Sequence, residues 1–114
     1  MIAVIIEMIP ADGRADEYFS VAKRLRPDAE KIDGFISVER FESVTTPGKL
    51  VSISFWRDEE ALRQWRIHDN HGMAQKAGRS GIFDDYRVRI GNIFRDYSLT
   101  DRAQAPESLI VSSD

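Results

Sequence analysis

The chain has 114 residues, with 16 basic against 19 acidic side chains and a formal net charge of −3. That balance gives no electrostatic reason to expect a nucleic-acid partner. The absence of cysteine excludes a disulfide framework, a thiolate metal site and a thiol nucleophile. The length suits one domain, and the longest apolar run, Ile2 to Ile6, is too short for a membrane span or a signal-peptide core, so a cytoplasmic location and no membrane partner are expected.

Met1–Ile9 is apolar at both parities. Ile2, Val4, Ile6 and Met8 share one face, Ala3, Ile5 and Ile9 the other, and Glu7 is the single interruption. Such a strand is covered on both sides. Pro10 to Gly13 forms a turn, and Tyr18, Ala22, Leu25, Ala29 and Ile32 then recur at helical spacing. Pro27 predicts a kink or restart, with the break at Arg26, and Asp33-Gly34 closes the segment. Phe35–Val44 and Lys49–Trp56 alternate as two strands around the turn Thr45 to Gly48, an antiparallel hairpin.

Phe55 to Arg79 concentrates the chemistry, since it holds both tryptophans and both histidines. Asp58 is a fitting N-cap, with Glu59 and Glu60 in the first turn near the positive end of the helix dipole. Trp65, His68 and Gly72 stand at i, i+3 and i+7, so an unbroken helix carries the indole and one imidazole on the same side. Gly72 predicts a bend or restart, and Gly78 the end. A long strand, Phe83–Tyr97, follows. Tyr86, Val88, Ile90 and Phe94 share one parity and Arg87, Arg89, Ile93, Arg95 and Tyr97 the other, while Gly91 suggests a bulge or a close backbone approach. The domain is therefore residues 1–99, with 100–114 a tail whose one apolar run is Ser108–Val111.

The element order is β-α-β-β-α-β, a ferredoxin-like α+β fold with an antiparallel sheet. Two helices cover one face of four strands, yet the strands carry apolar residues on both. The bare face is expected to be covered by a second copy, giving a homodimer.

With Phe55-Trp56, Trp65, His68, His71, Ala74-Gln75, Gly78-Arg79 and Arg95-Asp96-Tyr97, the chain resembles an antibiotic biosynthesis monooxygenase domain over roughly residues 1–98. The resemblance implies a dimeric α+β barrel and two kinds of enzyme. In the first, O₂ oxidises a flat, polycyclic aromatic small molecule without metal or flavin, and the protein supplies pocket, orientation and proton management. Trp65 matches the family's pocket tryptophan, while Ala61 and His71 stand where an asparagine and a tyrosine are expected. In the second, haem is substrate and cofactor, bent over the same tryptophan. There Gln75 takes the axial-histidine position, so His68 or His71 would ligate the iron, and Glu7 falls at or next to a first-strand asparagine. A third reading is a dimeric small-molecule-binding or stress-response domain without catalysis.

The candidate catalytic residues are thus His71, His68, Trp65 and Glu7, with His71 the haem ligand if haem binds. Trp65 is the wall for a flat ligand, or a core residue. Either histidine can act as acid or base, or serve only at the surface. No metal site is expected, because only carboxylates such as Asp69 or Glu7 could complete the pair. Glu7 in an apolar strand must be paired or solvated: by Arg87, Arg89 or Arg95, or as a proton acceptor at a pocket mouth. Arg79 either binds an anionic ligand edge or caps a helix end.

Overall fold

The computed structural model describes residues 1–69 and 81–106. Six elements occur in the expected order: β1 (Ile2–Pro10), α1 (Ala15–Glu30), β2 (Phe35–Glu42), β3 (Leu50–Trp56), α2 (Glu59–Asp69) and β4 (Phe83–Asn92). The strands form one antiparallel sheet in the order β2-β3-β1-β4. This is the ferredoxin-like arrangement. The two most apolar strands, β1 and β3, take the centre, where both neighbours satisfy their backbone groups.

Register assigns every side chain to a face. Ile2 stands opposite Trp56 and Asn92, Val4 opposite Ser54 and Ile90, and Ile6 opposite Ser52 and Val88. These positions face the helices, where Ile2, Val4, Ala29, Trp56, Ala61 and Leu62 make the main core, joined by Ile6, Ile32, Phe35 and Trp65. A second cluster, Val21 and Ile82 with Tyr18, Leu25 and Phe83, seals the start of β4 under α1. The opposite face carries Val51, Ile53 and Phe55 of β3 beside Ala3, Ile5 and Glu7 of β1.

Apart from one-residue shifts at the ends of β1 and β3, four features differ from the expectation. α1 runs through Pro27 without a break. Pro27 stands three residues from the helix end, so only one carbonyl loses its partner, and buried Ala29 and the Arg26–Glu30 pair at 3.2 Å hold the last turn. β2 ends at Glu42, and Val44 is almost fully exposed. Gly91 pairs in register with Ala3; the irregularities lie between Ile9 and Pro10 and between Phe35 and Ser37. β4 stops at Asn92, and just beyond it the Ile93 N–H still donates to the Met1 carbonyl at 2.9 Å. The expected bend at Gly72, the end at Gly78 and the run Ser108–Val111 lie outside the described residues.

α2 is anchored at its first turn. Asp58 Oδ1 accepts from the Ala61 N–H at 2.9 Å, as a helix cap should. Arg57 N–H donates to the Gly34 carbonyl at 2.7 Å, and its guanidinium pairs with Asp33 at 3.1 Å. Gly34 has φ +96, and a Cβ there would meet the Ala61 Cβ at 2.7 Å. A side chain at residue 34 therefore clashes with the helix that positions Trp65.

Leu62→Ala should lower the unfolding free energy by about 2–5 kcal/mol, measured in urea, because the side chain fills the helix–sheet core. Gly34→Ala should also destabilise, and a melting temperature equal to wild type would show that α2 does not approach the turn this closely.

Candidate functional site

Trp56 ends β3 on the helix side of the sheet and is the hub of an aromatic stack. Its ring meets Phe35 edge-on at 5.3 Å and lies nearly parallel to Trp65 at 6.2 Å. Its indole N–H donates to Ser54 Oγ at 3.0 Å, so the buried nitrogen has a partner. Trp65 stacks in turn on His68, with centroids 5.7 Å apart and planes 25° from parallel. The i, i+3 spacing on α2 thus brings the indole and the imidazole into contact. Three flat rings follow one another from the core outward.

His68 reaches across to α1, where its Nε2 lies 3.4 Å from Asp28 Oδ2. Both side chains are about half exposed, so the contact ties the two helices at the outer end of the stack rather than in the core. Sequence reasoning missed Asp28, and no local signal could have found it. The contact joins residues forty apart through the packing of α1 against α2.

Register supplies the floor. Tyr86, Val88 and Ile90 of β4 share the helix side with Ile6, Trp56 and the stack, and their exposures are 61%, 45% and 49%. A row of apolar side chains on the helix side of an edge strand, left open by the described part of α2, is a surface suited to a flat apolar ligand. Buried Ser52 and partly buried Ser54 add hydroxyl groups on the same side of β3.

Glu7 is placed elsewhere. Its parity puts it on the open face, away from Trp65 and His68. One carboxylate oxygen meets Lys49 Nζ at 2.8 Å and the other meets Arg89 Nη1 at 2.7 Å. The Lys49 hydrogen bond and the two nearby cations hold the carboxyl below its ordinary range. Of the arginines that sequence offers as partners, Arg89 is the one used, and Lys49 joins it from the neighbouring strand. His71 and Arg79 lie outside the described residues. Among the described residues no cluster of three or more potential metal ligands occurs, and no helix is long and apolar enough to cross a membrane.

The Glu7 pairs carry a pH signature. A carboxyl whose folded pKa is lowered contributes stability above its ordinary value, 4.5, and that contribution is lost as pH falls through the lowered value. Wild type should therefore exceed Glu7→Gln in melting temperature at pH 7, and the gap should close on acidification below about pH 4.5. A gap independent of pH would show that the carboxylate is not ion-paired.

Comparison with known proteins agrees with this fold. The family model described as antibiotic biosynthesis monooxygenase matches residues 1–77. A protein of Pyricularia oryzae named jasmonate monooxygenase ABM is 46% identical over 93 residues, which are 82% of this chain and 43% of that protein. The chain thus spans less than half the length of that relative. Among solved structures, SnoaB, a cofactor-independent oxygenase from Streptomyces nogalater, superposes with a TM-score of 0.68 at 14% identity, over 87% of this chain and 96% of that one. MhuD, solved with two manganese protoporphyrin IX molecules per active site, gives 0.66 at 15% identity, over 86% and 99%. At such identities the two structures speak for the fold alone. The match of the family model over two thirds of the chain and the fungal relative speak for more: the chain belongs to the antibiotic biosynthesis monooxygenase family.

Proposed function

We propose that this protein is an O₂-dependent monooxygenase for a flat, apolar small molecule, working without metal or flavin and as a homodimer. The observation that carries the reading is the Trp56–Trp65–His68 stack on the same side of the sheet as the open apolar row of β4. A ligand lying on that row meets an indole wall, and a titratable imidazole stands at the outer end of the wall. In a quinone-forming oxidation a ring CH₂ becomes C=O and the second oxygen atom leaves as water, so the substrate supplies the electrons. The protein's share is to hold the ring, exclude water and take the proton whose loss makes the substrate reactive towards O₂. His68 or His71 takes that proton, and Trp65 holds the ring. Arg79 meets the carboxylate if the substrate is an acid, as jasmonate is. Glu7, on the far face, serves the sheet rather than this pocket.

The haem-degrading reading draws its support from the fold shared with MhuD. Among the described residues His68 is the one imidazole, and its Nε2 lies 3.4 Å from Asp28 Oδ2. His71 is the other candidate ligand.

Oxygen uptake with an anthrone probe tests the first reading. Trp65→Ala should raise the apparent KM, and a His68→Ala/His71→Ala variant should lose roughly 100-fold in turnover while still binding the probe. Haemin titration of the same proteins separates the readings, since a saturating Soret shift that is lost with His71→Ala supports haem as the ligand. Unchanged oxygen uptake in the double-histidine variant would remove the histidines from the mechanism, and uptake by wild type no faster than without protein, with the probe still bound, would leave a binding module.

A further inference from the structure

The apolar row on the helix side of β4 ends in a polar group at both ends. Register sets Asn92, Ile90, Val88 and Tyr86 opposite Ile2, Val4, Ile6 and Met8, so the four share one side. Asn92 stands on the level of Ile2 and Trp56, the indole on which Trp65 stacks. Its backbone is held there, because the next residue, Ile93, donates its N–H to the Met1 carbonyl at 2.9 Å. Tyr86 stands at the other end. The register shift between Ile9 and Pro10 sets Phe83 opposite Pro10, which brings an odd-numbered ring to the side of even-numbered Tyr86. The two rings lie 6.2 Å apart, and Phe83 meets Tyr18 edge-on at 5.4 Å within the second core cluster. Tyr18 is fixed in turn by Arg40, whose Nε donates to its hydroxyl at 2.9 Å. Both ends of the row are thus braced. Among the described residues neither the Asn92 amide nor the Tyr86 hydroxyl has a hydrogen-bond partner.

Building on the ligand row of the proposed function, we propose that the ligand is an elongated apolar molecule with a hydrogen-bonding oxygen at each end. The Asn92 amide holds one oxygen at the tryptophan end, and the Tyr86 hydroxyl holds the other. The chemistry is complementary, since an amide N–H donates to a carbonyl, phenol or carboxylate oxygen and a phenol O–H donates to the same groups. Between them Ile90 and Val88 offer only apolar surface. Spacing sets the length. Six residues at about 3.3 Å rise separate Asn92 from Tyr86 by about 20 Å, and hydrogen bonds of about 2.9 Å at both ends leave about 14 Å between the ligand's own oxygens. A rod of about three para-linked benzene rings fills that span. In the free chain water satisfies both polar groups, so their effect appears when a ligand covers the row and takes that water away. A ligand with one oxygen gains from one end and can slide. Two oxygens fix its position along the strand, and with it the carbon that lies beside Trp65 and the histidine. Asn92 and Tyr86 therefore set specificity and position, while the proton transfer stays with the histidines.

The test is equilibrium dialysis of the full-length chain, which reads binding without turnover. The probes are p-terphenyl with a hydroxyl at each end, its single-hydroxyl analogue, and the shorter biphenyl diol. Wild type should bind the terphenyl diol about fivefold tighter than the single-hydroxyl analogue, the gain expected of one further hydrogen bond. It should also bind that diol tighter than the biphenyl diol, which is too short to reach both ends. Tyr86→Phe keeps the ring beside Phe83 and removes only the oxygen, and Asn92→Leu keeps the volume and removes the amide. In each variant the advantage of the terphenyl diol over its analogue should shrink to within about twofold, because one end no longer pairs. A merely structural defect would weaken both probes together and leave their ratio unchanged. An undiminished ratio in either variant would overturn the two-ended assignment, as would equal binding by wild type of the two terphenyls or of the two diols. The monooxygenase reading fails separately. Diol selectivity without oxygen uptake on the anthrone probe would strike the chemistry and leave this inference standing, whereas oxygen uptake without binding of any rod would overturn this inference alone.

Discussion

The burial of Trp56 is the contact on which most of this structure depends. It ends β3 where the strand must turn into α2, and register sets it between Ile2 of β1 and Phe35 of β2. With 2% of its surface exposed it ties three strands to the underside of α2. The stack of Trp65 upon it then fixes the rotation of α2 about its own axis, and with it the direction of His68. Core and candidate site are therefore one packing unit. A change at Trp56 alters both, whereas His68 is half exposed at the end of the stack and reaches only Trp65 and Asp28.

The sheet does different work on its two faces. On the helix side, the Trp56 indole N–H finds a partner in Ser54 Oγ. The open side mixes an apolar centre with charges that are either neutralised within the chain, as at Glu7, or held at the edges. A carboxylate between two cations retains its charge at little desolvation cost while the face is open to water. Covering that face makes the same pairs more important, because an unpaired charge is expensive away from water. Glu7 is thus better placed to make a coverable face tolerable than to exchange protons with a ligand on the other side.

The two helix starts show how local sequence sets tertiary positions. α1 begins without a side-chain cap and relies on acidic residues and the Arg14–Glu17 pair. α2 has the Asp58 cap and also a tertiary clamp through Gly34 and Arg57. The better-anchored start belongs to the helix that carries Trp65 and His68, where a small rotation would displace the rings from the sheet.

The element order, the two-sided apolarity of β1 and the pairing of β2 with β3 were legible in the sequence, because alternation and turn residues are local signals read along one segment. The i, i+3 relation of Trp65 and His68 was legible for the same reason. Tertiary structure decided what those signals do not contain. Pro27 remains helical because the core holds the turn beyond it. Gly91 stays in register because Ala3 opposes it with no extra residue. Glu7 was recognisable as needing a partner, but its choice of Lys49 and Arg89, and of the face opposite Trp65, came from strand order and register. Asp28 beside His68 came from the packing of one helix on another. A chain's local pattern states which residues share a side; only the assembled sheet states which sides meet.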